Sequence, residues 1–406
     1  MKHFCRVSKK PLTITNDFGK QPLGNGFLDN KKKNSEYFYH MKTGFCEESK
    51  MFQLAKQPDP KKMFHKDYAF FSGTSKSMTK HFENFYNSVI NSRYCPSNPF
   101  IVELGCNDGI LIKNFKNNNY KHLGVEPSRN VANFSKKIGI NIMNDFFNSK
   151  SSKKIEKKNG KADFILAANV MCHIPNIVET SKAIESLLSQ NGVLIFEEPY
   201  LGDVIRKNSY DQIYDEHVFL FSGLSVENLF NKVDMEIVDL IPQITHGGSM
   251  RYVVAKKNRY IKTENVKKIL NKEIKQGLDK TSTFKKFDIN IKKSKKKFLK
   301  LLLKLKKQNK RISGYAATSK STTILNYCGI DKKLIDCIYD TTPNKIGKLT
   351  PGMHIPVKNY KLFNKDYPDY AVLFAWNHSI EILKKEKEFS KKGKKWIFFV
   401  PKIIIG

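Results

Sequence analysis

Long apolar runs are missing from this 406-residue chain. No window approaches the ~18 uninterrupted apolar residues of a membrane span. Leu301-Leu-Leu-Lys-Leu-Lys is too short and too basic for one. The first residues, Met1-Lys-His-Phe-Cys-Arg, lack the apolar stretch of a secretory signal. Cysteine is sparse, seven in all, scattered and odd in number. That argues against a disulfide framework and for reduced thiols in a cytoplasmic protein. Acidic residues are few beside basic ones, 38 against 72, for a formal charge of +34. Yet no Arg-rich or aromatic-interleaved module accompanies the charge, and the lysines are spread over the whole chain with many Asn and Ile. A nucleic-acid partner is therefore not expected. The general positive field favours an anionic small molecule. Also absent are the Walker loop Gly-x-x-x-x-Gly-Lys-Ser/Thr and the Gly-x-Gly-x-x-Gly of NAD or FAD binders.

What is present is a globular composition, 40% apolar and 12% aromatic, with enough length for two or three domains. Residues 1–60 read as a small irregular module punctuated by Pro11, Gly19, Pro22, Gly24 and Gly26. Cys5-Arg-Val-Ser8 and Cys46-Glu-Glu-Ser49 have the spacing of two zinc knuckles. Ser stands at the second ligand position of each, whereas a structural zinc wants four thiolate or imidazole ligands. No metal is expected there. A Ser/Gly/Thr loop near Ser72 leads into a helical pattern of Met78, Phe82, Phe85, Val89 and Ile90.

Residues 99–255 carry an α/β signal. Phe100-Ile-Val-Glu103-Leu-Gly105-Cys106-Asn107-Asp108-Gly109 is a buried strand followed by a glycine loop and a helix start. His122-Leu-Gly-Val-Glu126-Pro127-Ser128 is a second strand ending in an acid, ~20 residues on, where an acid suits the hydroxyls of a ribose. Further strand ends are expected at Asp145, at Asn169 with His173 beyond it, and at Glu197-Glu198-Pro-Tyr200. Strands alternating with helices imply a doubly wound parallel sheet with its ligands outside the strand carboxyl ends. Two later apolar stretches, around 235–241 and 249–255, read as a closing antiparallel pair with the turn His246-Gly-Gly-Ser249 between them.

Between the fifth strand and that pair lies Tyr210-Asp-Gln-Ile-Tyr214-Asp-Glu216-His217. Two tyrosines, three carboxylates and a histidine in eight residues suit proton chemistry, since histidine gains and loses its proton near neutrality. His217 is the candidate base, with Glu216 holding it and Tyr214 beside it; Asp211 and Asp215 read as structural. Residues 256–310 read as basic connecting helices on an apolar stripe of Phe298, Leu301, Leu302 and Leu305. Residues 311–406 start a second α/β domain. Its strand, small-residue loop and helix start, Gly314-Tyr-Ala-Ala-Thr318-Ser-Lys320, suit a phosphate.

The order of these motifs resembles the adenosylmethionine-dependent C-methyltransferases that act on nucleotide-linked ketosugars. The resemblance rests on Phe18-Gly-Lys-Gln-Pro-Leu-Gly-Asn25, Glu103-Leu-Gly-Cys-Asn-Asp-Gly109, Gly124-Val-Glu126-Pro-Ser, Cys172-His173-Ile-Pro175, Glu198-Pro-Tyr200, Tyr214-Asp-Glu216-His217 and Gly247-Gly-Ser249-Met-Arg251. It extends through Gly314-Tyr-Ala-Ala, Asn326-Tyr-Cys-Gly and Pro351-Gly-Met-His-Ile-Pro356, so that it covers nearly the whole chain.

The resemblance implies a degenerate zinc-binding-like module over 1–60 and a Rossmann-like methyltransferase domain over 61–255. A connector follows over 256–310, then a Rossmann-like substrate domain over 311–406. It implies adenosylmethionine as cofactor, held by Glu103, Gly105, Cys106, Asn107, Asp108, Gly109, Glu126, Pro127, Ser128, Asp145, Asn169 and His173. It implies a nucleotide-sugar substrate near Glu198, Tyr200, His246, Ser249, Arg251, Thr318 and Lys320. The last three are the candidates for its diphosphate. Tyr214, Glu216 and His217 match the family's catalytic Tyr-x-Glu-His. A further family tyrosine comes from a Tyr-x-Tyr/Phe-x-Ser segment, here Tyr68 and Phe70. O- or N-methylation, and a non-catalytic scaffold, remain as rival readings; oligomeric state is not legible.

Overall fold

Apolar runs such as Phe100–Leu104 and Ala162–Ala168 are strands buried along nearly their whole length in the computed structural model, which describes residues 2–59, 63 and 76–406. Three sheets organise those residues. The strands, in chain order, are β1 (Thr13–Pro22), β2 (Phe38–Cys46), β3 (Met51–Leu54), β4 (Phe100–Leu104), β5 (Lys121–Val125), β6 (Ile142–Met143), β7 (Ala162–Ala168), β8 (Leu188–Pro199), β9 (Phe219–Leu220), β10 (Met235–Gln243) and β11 (Ser249–Lys256). The C-terminal part adds β12 (Ile312–Tyr315), β13 (Ile338–Asp340), β14 (Val357–Asn359), β15 (Tyr370–Leu373), β16 (Lys395–Phe398) and β17 (Ile404–Ile405).

The central sheet runs β10-β11-β8-β7-β4-β5-β6. Strands β6, β5, β4, β7 and β8 are parallel, and β10 and β11 close the edge antiparallel. Strand order reverses between β4 and β7, which opens a crevice at their carboxyl ends. The helices flanking these strands are α1 (Lys76–Ile90), α2 (Ile112–Asn117), α3 (Arg129–Lys137), α4 (Ser149–Asn159), α5 (Ile177–Leu187), α6 (Leu201–Lys207) and α7 (Gly223–Phe230).

The C-terminal sheet, β14-β13-β12-β15-β16-β17, is parallel but for β17 and reverses order at β12. In β15 the strand is shorter than the apolar run Tyr370-Ala-Val-Leu-Phe-Ala-Trp376. It ends at Leu373, and Trp376–His378 turns as a single 3-10 coil.

Two helices join the halves: α8 (Glu264–Lys275) and α9 (Thr281–Lys307). In α9 the apolar residues recur at helical spacing, and Phe284, Phe287, Ile291, Phe298, Leu302 and Leu305 are buried while lysines take the other face. Phe284 stacks on Phe45 at 4.2 Å and Phe52 at 5.1 Å, and Phe298 lies 6.0 Å from Phe399. One helix thereby ties the N-terminal sheet to the C-terminal domain. Each such buried ring stabilises by about 1.5–3 kcal/mol.

The N-terminal sheet is antiparallel, β1-β2-β3-β9. Its last strand comes from far along the chain: Phe52 pairs with Leu220 and Gln53 with Phe219. The apolar tail of the 210–222 stretch is therefore an edge of the first module's sheet. A sequence reading had no means of placing it there, since a two-residue strand leaves no periodicity.

Candidate active site

The carboxyl ends of the central and C-terminal sheets face one another across a cavity of about 760 Å³. On the central side the wall is formed by Gly105, Asn107, Glu126, Pro127, Asn169 and His173. Gly105 has φ +59, and a Cβ there would lie 2.5 Å from Val170 Cγ2, so the loop closes tightly only with glycine. Glu126 pins the loop by accepting from the Asn107 amide at 3.1 Å and the Ser128 amide at 2.7 Å. Burial pushes its carboxyl up.

Several residues expected on this side lie beneath it. Glu103, Cys106 and Asp108 are buried under the loop, and Gly109 packs against Ile140. Ser128 is buried at the start of α3. Asp145 is exposed and accepts from the Phe146 amide, while Phe146 and Phe147 reach the cavity in its place.

His217 sits on the floor. Its Nδ1 lies 2.8 Å from the Gln212 carbonyl, which can only accept, so Nδ1 carries the hydrogen. Nε2 is then the free base and accepts the Tyr214 hydroxyl at 2.9 Å. Burial, then the neighbouring His173 ring and Lys320, hold the imidazole well below its ordinary pKa. His173 lies nearly parallel to it, centroids 5.4 Å apart.

Glu216 was expected to hold His217, but both ring nitrogens have other partners. The carboxylate of Glu216 instead accepts from Asn25 Nδ2 at 2.7 Å. Asp215 accepts from the Gly24 amide at 2.8 Å, and burial, with Glu216 adjacent, pushes its carboxyl up to about 8. Asp211 accepts from Trp376 Nε1 at 2.7 Å.

The opposite wall belongs to the C-terminal domain. Helix α10 (Ser319–Cys328) is capped by Thr318, whose hydroxyl accepts from the Ser321 amide at 3.0 Å. Lys320 in its first turn is half-buried and lines the cavity, and its Nζ, shielded from solvent, has no hydrogen-bond partner among the described residues. Burial lowers its pKa, opposed by the charge of Asp211. A desolvated ammonium at a helix N-terminus is a seat for an anion. His246 lines the cavity too; burial and then Lys320 bring its imidazole down to about 3.

Other proposed substrate contacts point away. Arg251 sits opposite Glu197 in the β11–β8 register and pairs with it at 3.0 Å, over the Phe85 ring at 3.8 Å. The Tyr200 hydroxyl donates to Glu273 at 2.9 Å. Glu198 accepts from the amides of Val170 at 2.9 Å and Cys172 at 3.1 Å, which shapes the loop after β7, and burial pushes its carboxyl up to about 7. The Ser249 hydroxyl donates to the Thr245 carbonyl. Tyr68 and Phe70 lie outside the described residues. Conversely, Asn25, Lys345, Asn377 and His378 line the cavity. Asn25 sits in a Gly-Asn-Gly turn and Lys345 is one basic residue among 72, so neither carried a signal.

The knuckle residues do converge. Cys5 Sγ is 3.1 Å from Ser49 Oγ, and Ser8 Oγ is 3.2 Å from Cys46 Sγ. Gln53 Nε2 donates to Cys5 Sγ at 3.1 Å, as do the amides of Val7 at 3.3 Å and Ser8 at 3.5 Å. A hydrogen bond with Cys46 first, and then, against burial, bonds from Ser49 and Ser8 bring the Cys5 thiol down to about 4; the same bond pushes Cys46 up to about 12. Two sulfurs and two neutral hydroxyls do not fit a structural zinc, which takes four thiolate or imidazole ligands.

Family models match three consecutive stretches: a zinc-binding domain over 5–64, a methyltransferase domain over 78–240 and a C-methyltransferase C-terminal domain over 244–401. The chain is 27% identical over 386 residues to C-methyltransferase NovU of Streptomyces niveus, covering 95% of this chain and 92% of that protein. Solved structures similar to part of it include the PH0226 protein of Pyrococcus horikoshii OT3, at 12% identity and TM-score 0.37, covering 47% of this chain and 95% of that one. Another is magnesium protoporphyrin IX methyltransferase of Synechocystis PCC 6803 with bound SAM, at 11% identity and TM-score 0.34, covering 44% and 79%.

Proposed function

Since the chain is an S-adenosylmethionine-dependent methyltransferase built as a C-methyltransferase in three parts, we propose that it methylates the carbon next to the ketone of a nucleotide-linked 4-ketosugar. The observation that carries this reading is the Tyr214–His217 pair facing a cavity that also holds the Lys320 ammonium, which has no hydrogen-bond partner among the described residues. A C–H beside a ketone is weakly acidic, so its removal needs a base and a stabiliser for the enolate.

His217 is the base. Its depressed pKa keeps Nε2 unprotonated at neutral pH, and the Gln212 carbonyl keeps the tautomer correct. A base so weakened cannot generate the enolate unaided. The Tyr214 hydroxyl turns from Nε2 to the substrate ketone, which frees the Nε2 lone pair to take the carbon-bound proton and leaves the hydroxyl donating to the oxygen on which the enolate charge develops. Thr318, Lys320 and the start of α10 hold the diphosphate. An anion seated there offsets the positive charge that depresses His217. Gly105, Asn107, Glu126 and Asn169 fit adenosylmethionine, with the acid for its ribose. When bound, it supplies an electrophilic methyl group. The two facing crevices align the reactants, which removes several kcal/mol of the barrier.

The test is incubation with methyl-labelled adenosylmethionine and a panel of nucleotide 4-ketosugars, the methylated carbon being read by NMR. Label on a sugar carbon next to the ketone is expected. Label only on oxygen or nitrogen, or none on any sugar, sinks the reading.

The first module is, on the same proposal, metal-free: its hydrogen-bonded square of Cys5, Ser8, Cys46 and Ser49 does the work of the ion. The purified chain is expected to carry substoichiometric zinc by mass spectrometry and to melt at the same temperature with and without EDTA. The double variant Ser8→Cys, Ser49→Cys is expected to gain one zinc and become EDTA-sensitive. One tightly held zinc per unmodified chain would overturn this.

A further inference from the structure

A turn in the first module reaches the active site of the second and the substrate wall of the third. Asn25 follows β1 and lines the cavity. Its amide nitrogen donates to Glu216 Oε1 at 2.7 Å, and its carbonyl oxygen accepts from Ser319 Oγ at 2.8 Å. Gly24 beside it is held just as firmly. Its amide donates to Asp215 at 2.8 Å, and its carbonyl accepts from Thr322 at 2.9 Å. There is no room for a larger residue: a Cβ on Gly24 would lie 2.8 Å from Asp215 Oδ1 and 3.2 Å from the Tyr214 ring. Four hydrogen bonds from two residues thus join the catalytic segment to the first turn of α10. A solvated turn would not need them.

We propose that Asn25 is a positioning residue, brought in by the first module to clamp Glu216 against the start of α10. This rests on the reading of residues 214–217 as the catalytic segment. It gives the first module a task that needs no metal. The module's sheet fixes the end of β1, β1 fixes Asn25, and Asn25 sets the distance between the base and the anion seat at Thr318–Lys320. The amide is suited to this because it donates to a carboxylate and accepts from a hydroxyl at once. Among the described residues, the ionisable groups around Glu216 include Asp215, His217 and Tyr214 on its own segment, Cys172 from the exit of β7 and Lys345 from the C-terminal domain.

Asn25→Asp keeps the shape but replaces the donating amide with a second carboxyl against Glu216. Two carboxylates so close cannot both stay ionised, and a proton shared between them restores the bond. The variant is therefore expected to lose about a hundredfold in kcat near pH 8, with KM for adenosylmethionine within about twofold. Most of the loss should return near pH 6. Asn25→Ala should lose a similar amount at both pH values, with no recovery. Parallel pH profiles for the two variants, or an unchanged kcat in both, would overturn the clamp.

Should the parent chain methylate no ketosugar, the functional reading fails but the clamp is still read, from melting temperatures. The new carboxyl pair has a raised pKa in the folded state, so its stability contribution falls as pH rises through that value. The gap in melting temperature between Asn25→Asp and the parent must widen from about pH 5.5 to about pH 8. A constant gap overturns the proposal whatever the substrate.

Discussion

Replacing His217 with Asn is expected to lower turnover about 10³-fold, roughly 4 kcal/mol of barrier, while adenosylmethionine binds within about twofold of the parent. The substitution is chosen for what it keeps. An Asn amide can still donate to the Gln212 carbonyl that now receives Nδ1–H, so the floor of the site is not left with an orphaned acceptor. What it removes is Nε2, the basic atom that accepts the Tyr214 hydroxyl. The wall proposed for the cofactor is built from the loops after β4, β5 and β7, and the first of these is pinned by Glu126. Single-turnover kinetics together with isothermal titration of adenosylmethionine separate the two effects. A variant that methylates at the parent rate would move the base elsewhere.

The second large effect belongs to Lys320→Met. An ammonium shielded from solvent with no partner among the described residues is costly in the free protein and is explained if an anion completes it. Met keeps the length and removes the charge, so affinity for thymidine diphosphate should fall about a hundredfold, roughly 2.7 kcal/mol. A separate signature follows in the pH profile. Lys320 is among the causes that depress His217, after burial and the His173 ring. Removing it lets the imidazole rise towards its ordinary value. The base works only unprotonated, so a lower pKa keeps it active to lower pH. In the parent, the acid limb of kcat/KM should therefore lie below the usual histidine value near 6.5. In Lys320→Met the limb moves upward. Equal nucleotide affinity, or a limb that moves down, would remove Lys320 from the anion seat.

The parts of this molecule legible in its sequence are those carried by local pattern. Buried runs, glycine loops and an acid at a strand end suffice for the central sheet, because one strand and its exit loop contain the whole signal. Tyr214 and His217, three residues apart, were visible for the same reason. Contacts across strands were not. Arg251 read as a substrate ligand because its partner, Glu197, is far along the chain and becomes its neighbour only through the β11–β8 register. Tyr200 was misplaced likewise, its hydroxyl going to Glu273 in α8. Glu216 sat beside His217 in the sequence and was assigned to it, whereas its carboxylate accepts from a residue of another module. Adjacency along a chain says little about which way two consecutive side chains point.

Strand β9 has a further consequence, for the order in which the molecule can assemble. The first module's sheet borrows its fourth strand from the residues just after His217. During synthesis, β1, β2 and β3 emerge early and must wait for the central domain before their open edge is covered. The closure entropy of that long loop falls on the step that also brings the catalytic segment under Asn25. Completion of that sheet and placement of the proposed catalytic segment consequently depend on the same stretch of chain. A truncated chain that lacks β9 is left with an uncovered edge, not with a smaller working protein.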